Sequence, residues 1–182
     1  MSLFVGWMLL GRLSGMAFSA EGKNYWMLKA SPVRTTHLLA AKFLVAYLPT
    51  LALGVLFMLA VSLLQKASPG IFLYGLLATA MCQAGMNGIL LAFGVAGANF
   101  NWTDPRRMNA GAIGCLGQAL TGLFLPIAFG FFIGPLLLVS LFQWPQIYGY
   151  LAGAISGSAV SALCALLPPW LVRQRVERLN EN

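Results

Sequence analysis

The sequence predicts an all-α integral membrane protein with about five transmembrane helices, a short cytoplasmic helix and an outer re-entrant helix. The chain is 59% hydrophobic and only 8% charged, whereas soluble domains carry roughly 25% charged residues. Residues 43–65, 67–103 and 108–172 contain no charged side chain, and one span needs about 20 apolar residues. Their continuous apolarity indicates helices, because only helices and closed barrels satisfy the backbone in lipid.

The predicted spans belong to one transmembrane domain that covers residues 1–182. They are the segments 3–19, 38–64, 71–97, 111–129 and 147–171. The first is interrupted by Arg12, and the residues before it are too few to cross a bilayer. We therefore expect the chain to be the C-terminal part of a longer membrane protein, incomplete at its N-terminus, or to start at an internal Met.

The long uncharged run 108–172 has both ends on the same predicted side, so it must contain an even number of crossings. Two spans leave a remainder in which Pro126, Gly130, Gly134 and Pro135 disfavour helix geometry. We expect an outer re-entrant helix at about 133–143. One long, proline-kinked span is the alternative.

The basic residues predict the topology. Nine of the eleven lie in or beside the loops 20–37 and 98–110 and the C-terminal tail: Lys23, Lys29, Arg34, Lys42, Arg106, Arg107, Arg173, Arg175 and Arg178. The opposite side has only Lys66. The positive-inside rule places the nine in the cytoplasm, with the N-terminus outside and the C-terminus inside. The net charge of +7 then reflects this asymmetry and contact with anionic membrane lipids rather than a nucleic-acid partner.

The residue types available argue against several kinds of chemistry. His37 is the only histidine, and the three cysteines, Cys82, Cys115 and Cys164, lie in or beside spans, so we expect no metal site, cofactor or disulfide. The acidic residues all lie in predicted loops or the tail: Glu21, Asp104, Glu177 and Glu181. This argues against a proton-coupled transporter and against a hydrolase built on paired Asp residues. No Walker loop is present, and we expect no catalytic site and no enzyme activity.

Polar residues inside the spans have two interpretations. Gln83 and Asn87 lie one turn apart on the third span, and Gln118 and Thr121 lie on the fourth. Amides in lipid need partners, so these residues either form helix–helix hydrogen bonds or make a polar strip along a substrate path.

Small residues repeat every four positions in the last span, at Gly149, Gly153, Gly157 and Ser161. Such a smooth helix face allows a neighbouring helix to approach closely. We expect helix packing within the chain, with a subunit contact as the alternative.

The polar insert at about 20–31 is predicted to be a short interfacial helix, with Tyr25 and Leu28 on one face and Lys23 and Lys29 flanking the apolar residues. It could present aromatic and charged groups to a soluble partner. A simple amphipathic helix on the membrane surface is the alternative.

Two loops carry a resemblance to a known family. The string S-A-E-G-K-N-Y-W-M-L-K-A-S-P-V, followed by Lys42, and the loop A-N-F-N-W-T-D-P-R-R-M resemble the later part of the permease subunits of bacterial type-2 ATP-binding-cassette exporters. The resemblance implies that the first loop is a coupling helix that docks into a separate ATPase subunit. The residues given that role are Glu21, Gly22, Lys23, Trp26, Leu28, Ser31 and Pro32.

The same resemblance implies a multi-pass protein of the bacterial cytoplasmic membrane that works with a second permease half, as a homodimer or heterodimer. A substrate-binding membrane component of a small-molecule importer is the first alternative, since it has similar length and helix number. An intramembrane lipid-modifying enzyme is the second, although the expected catalytic carboxylates and histidines are lacking.

Overall fold

The computed structural model describes residues 2–24, 34–98 and 112–177, and within these ranges it is helical and contains no strand. Its elements are α1 (Ser2–Leu13), the 3₁₀ helix η1 (Ser19–Asn24), α2 (Thr35–Gln65), α3 (Pro69–Ala96), α4 (Ala112–Leu141) and α5 (Gln146–Glu177). Among the described residues, the four helices α2 to α5 are long and apolar enough to cross a membrane. The expected all-α fold is confirmed, and the four apolar helices indicate a multi-pass membrane protein.

The first predicted span is much shorter in the structure than in the sequence interpretation. The expected segment 3–19 is a helix of 12 residues, which rises only about 18 Å against a hydrocarbon core of about 30 Å. The chain leaves the helix after Leu13, where the backbone N–H groups of Ser14 and Gly15 both bond to Leu10 O. Within the described ranges the structure therefore has four helices of spanning length rather than five, because α1 ends at Leu13 and a turn over residues 14–18 follows.

The predicted break in the region 130–145 is absent from the described helix α4, which runs without interruption from Ala112 to Leu141 and contains Pro126 and Pro135. The expected separate helix at 133–143 is thus the last part of α4. The chain turns only after Leu141, with Gln143 at a positive φ of 55°, before α5 begins at Gln146.

Neighbouring helices explain how α4 continues through Pro135. A proline removes the N–H that would bond to the carbonyl four residues earlier, which here is Phe131 O. The Ser156 hydroxyl of α5 lies 3.1 Å from that oxygen and shares its proton with Ala152 O at 2.8 Å. Tyr74 of α3 donates a 2.6 Å hydrogen bond to the next carbonyl, Phe132 O. Proline inside membrane helices is tolerated where side chains satisfy the backbone in this way.

Removing the tyrosine donor should weaken this arrangement. We expect Tyr74→Phe to lower the free energy of unfolding by about 1 kcal/mol, because Phe132 O loses its only side-chain donor among the described residues. Unfolding of the purified chain in mixed micelles, followed by circular dichroism, measures the change. Tyr148→Phe is the matched control, since Tyr148 is largely exposed; an equal loss in both variants would contradict the assignment.

Helix α3 is the most buried of the four long helices and packs against α1, α2, α4 and α5. Its contact with α5 is the most extensive and depends on small residues. A Cβ atom on Gly88 would lie 2.5 Å from the carbonyl oxygens of both Cys164 and Ala165, so the two backbones touch at this point. The central position of α3 places its polar side chains inside the bundle.

The small-residue stripe of α5 faces other helices of the same chain. Gly149 lies against the backbone of Leu136, and Gly153 lies against Phe132 O. Gly157 lies against the ring of Phe132, and Ser161 is fully buried. The stripe is therefore covered by α4 at its first three positions, and Ser161 O borders Gly85 of α3.

Candidate functional site

The helices alternate in direction, which brings the start of α2, the end of α3 and the end of α5 to one end of the bundle. A hydrogen bond of 3.0 Å from Arg175 Nη2 to Ala96 O joins the ends of α5 and α3 there. We call this the basic end, and define it by Arg34, Lys42, Arg173 and Arg175. Lys66 lies at the opposite end, directly after α2. Of the nine basic residues expected on one side, these four are described at the basic end, and Lys66 lies at the other end. The side of the membrane that each end faces stays a prediction.

The candidate coupling segment is partly described. Glu21, Gly22 and Lys23 lie in η1, a 3₁₀ helix over Ser19–Asn24, which covers the start of the short helix expected at about 20–31. Trp26, Leu28, Ser31 and Pro32 lie outside the described residues. The structure therefore shows how the segment begins and where the chain re-enters the bundle at Arg34.

Lys42 of α2 contacts the beginning of this segment. Its ammonium forms an ion pair with the Glu21 carboxylate and donates a 2.8 Å hydrogen bond to Ala17 O. It also lies 5.8 Å from the centroid of the Phe18 ring. Both partners of the ion pair are partly buried, with side-chain exposures of 18% for Lys42 and 34% for Glu21. This partial shielding from solvent makes the contact stronger than a fully exposed ion pair.

A polar seam runs along α3 at Thr79, Gln83 and Asn87, all buried. These positions are four residues apart and therefore lie on one face of the helix. The Asn87 amide donates a 2.9 Å hydrogen bond to Phe43 O of α2, and the Ser14 hydroxyl donates to Asn87 O at 3.2 Å. The seam connects the central helix to α2 and to the end of α1.

In Asn87 only Oδ1 lacks a hydrogen-bond partner, since Nδ2 bonds to Phe43 O. In Gln83 neither Oε1 nor Nε2 has a hydrogen-bond partner, although the residue is fully buried. The amide is packed between two glycines, since Cβ atoms on Gly6 of α1 and on Gly54 of α2 would lie 2.8 and 2.7 Å from Nε2. Both glycines thus provide the space for this side chain. A buried amide without partners usually costs stability, which makes Gln83 a candidate for a functional role.

The polar residues of α4 lie on the other flank of α1. Thr121 is fully buried and accepts a 2.8 Å hydrogen bond from Trp7 Nε1. Its hydroxyl lies 2.9 Å from Gln118 O and 3.0 Å from Gly117 O, the carbonyls to which it can donate. The Gln118 amide lies directly over Gly11. The four predicted polar residues are thus gathered around α1, through Gly6, Trp7, Gly11 and Ser14.

The two interpretations of Gln83 can be separated by substitution. We expect Gln83→Met to raise the free energy of unfolding by about 1 kcal/mol or more, because it removes an unpaired buried amide while nearly keeping the volume. If Gln83 belongs to the transport path, the same variant should transport more slowly despite its higher stability. Thermal unfolding and a transport assay on one preparation measure both quantities. A variant that is destabilised would show that Gln83 serves only the structure.

Among the residues in the described ranges, no group of three His, Cys, Asp or Glu side chains lies close enough to hold a metal ion.

A comparison with known protein families gives a match for most of the chain. A family model described as "Putative ATP-binding cassette" matches residues 6–142. The chain belongs to this family of ABC transporters. The match begins inside α1 and ends directly after α4, so it contains the candidate coupling segment, Lys42 and the four polar residues. Neither a curated protein nor a solved structure matches the chain.

Proposed function

We propose that this ABC-family chain is the permease part of an exporter in the bacterial cytoplasmic membrane, and that it couples ATP hydrolysis by a separate ATPase subunit to substrate export. Family membership and the four apolar helices support a transporter component. The sequence contains no Walker loop, so this stretch does not bind ATP by that motif, and the proposal assigns ATP binding to the separate subunit. On this proposal the chain itself is not an enzyme.

The observation that carries the proposal is the contact between Lys42 and the start of the coupling segment. The ammonium joins Glu21 and Ala17 O to the first turns of α2. A partner that moves the segment would therefore also move α2, and through Asn87 and Phe43 it would move the central helix. Such a route is a chain of packed and hydrogen-bonded groups that can carry coupling free energy. The ATPase must make different contacts in its nucleotide-bound and nucleotide-free states for this to drive transport.

The substrate would pass between two permease halves, in a homodimer or heterodimer. The polar residues around α1, with Gln83 unpaired among them, are the candidate lining of that path. Movement of α1 relative to α3 would change which groups Gln83 meets, because Gly6 lies directly against its amide.

Purification of the full chain from native membranes in a mild detergent tests the proposal. We expect a nucleotide-binding ATPase to co-purify, and its hydrolysis to rise when both proteins are reconstituted in proteoliposomes with transported substrate. Failure of any ATPase to co-purify, together with tight binding of a vitamin or metal ion to the chain alone, would support the importer component instead.

A further inference from the structure

An apolar groove lies between α2 and α5 near the basic end. It has a volume of about 560 Å³, within the range of about 300–1,000 Å³ that small-molecule sites have. Its walls include Leu39 and Phe43 of α2 and Leu166 and Trp170 of α5, and the buried Leu91 of α3 also lines it. The groove separates the two helices where they approach the end of the bundle.

A polar pocket of about 520 Å³ adjoins this groove. Its lining consists of Arg34, Thr35, Thr36, Arg173 and Gln174. Thr36 and Arg173 line both spaces, so the groove and the pocket lie side by side. The apolar groove could hold a hydrocarbon chain, and the two guanidinium groups of the pocket could bind a negative charge. Together they are complementary to an anionic amphiphile.

The charges in the pocket favour a phosphate group. Both arginines are exposed, and among the described residues no carboxylate lines either space. The Arg173 guanidinium stacks 5.2 Å from the centroid of the Trp170 ring, which orients its N–H groups without neutralising the charge. Guanidinium groups bind phosphate oxygens in a forked, two-hydrogen-bond geometry.

We propose that this site binds an anionic phospholipid of the bilayer leaflet at the basic end, with an acyl chain in the groove and the phosphate between Arg34 and Arg173. A lipid fits better than a water-soluble ligand because α2 and α5 are both of spanning length, so their outward faces meet hydrocarbon. Leu166 at the groove is 71% exposed, and its natural neighbour there is an acyl chain. The helix ends, where the arginines lie, are at the level of lipid headgroups. This proposal does not depend on the exporter function.

Photolabelling with two lipids of different charge tests the site. The full chain is reconstituted in vesicles of equal parts phosphatidylglycerol and phosphatidylcholine, with a trace of one or the other carrying a diazirine in its acyl chain. Peptide mapping then locates the adducts. We expect adducts in residues 39–44 and 165–170. The labelling by phosphatidylglycerol should exceed that by phosphatidylcholine, with each of the two arginines contributing a factor of roughly five.

Charge-removing variants at the same end provide the control. Arg34→Gln with Arg173→Gln should bring the lipid preference close to one, and both positions are exposed, so the fold should be kept. Arg175→Gln removes an equal charge from the guanidinium that bonds to Ala96 O and should retain most of the preference. Equal labelling by both lipids, an equal effect of Arg175→Gln, or no adducts in 39–44 and 165–170 would each overturn the proposal.

Discussion

The Glu21→Lys substitution should remove most of the stimulation of the partner ATPase while the chain still inserts into the membrane. The substitution would place a second ammonium beside Lys42, which now pairs with the Glu21 carboxylate and bonds to Ala17 O. Repulsion between the two would detach the coupling segment from α2. Coupling free energies between sites typically correspond to factors of about 5 to 150, and we expect a loss of stimulation of roughly tenfold. Hydrolysis rates with and without the chain in proteoliposomes measure it.

Two further variants separate this contact from a general effect of charge. Glu21→Gln removes the ion pair without repulsion and should give an intermediate loss. The exchange of both charges, Glu21→Lys with Lys42→Glu, should restore part of the stimulation, because the pair can form again in reverse. Wild-type stimulation in Glu21→Lys would mean that the ion pair does not transmit the coupling. Recovery in the double variant is expected to be partial, because Glu at position 42 cannot donate to Ala17 O.

Substitution of Gly88 by alanine should cause a large loss of stability, although it adds only one methyl group. The new Cβ would lie 2.5 Å from the backbone oxygens of Cys164 and Ala165, and backbone cannot move aside as a flexible side chain can. Helices α3 and α5 would have to separate along their most extensive contact. Overpacking costs typically about 1–3 kcal/mol, and we expect a value near the upper end. Unfolding by detergent titration, monitored by circular dichroism, gives the difference.

Gly134→Ala is the matched control for this prediction. No atom lies within 4 Å of a Cβ at this position, so the added methyl group meets open space. Alanine is also the better helix former, by about 0.8–1 kcal/mol in peptides. We expect no loss of stability, and an equal destabilisation of both variants would contradict the close approach of α3 and α5.

The sequence is sufficient to predict the four long helices, because charge-free runs of this length leave no other structure that satisfies the backbone in lipid. The sequence also indicates that the first segment is too short to span the membrane, since Arg12 leaves too few apolar residues before it. The described α1 is indeed short. The helix starts differ by a few residues: α3 begins at Pro69, where proline at the first helical position is favourable.

The course of α4 could not be predicted from its own residues. Pro135 and the neighbouring glycines, taken alone, favour a break. The groups that satisfy the backbone there, Ser156 on α5 and Tyr74 on α3, are distant in the sequence, and no local pattern connects them to Pro135. Tertiary contacts therefore decide between a broken and a continuous helix.

The candidate site was predicted residue by residue but not as an arrangement. Gln83, Asn87, Gln118 and Thr121 are noticeable in the sequence as polar residues in apolar spans. The sequence does not show that all four lie against α1, because a glycine such as Gly6 has no side chain that would indicate the contact. The role of Lys42 as the partner of Glu21 is likewise visible only when η1 is folded against α2.

The central claim, that the segment after η1 binds an ATPase, is tested most directly by placing a photoreactive amino acid at position 26 and irradiating native membranes. A photoreactive group at position 144, at the opposite end of the bundle where Trp144 is 65% exposed, serves as the control. The account predicts that a nucleotide-binding ATPase is trapped at position 26 and not at position 144. If position 26 traps only lipid and no ATPase co-purifies, the segment is an interfacial helix and the proposed function is wrong.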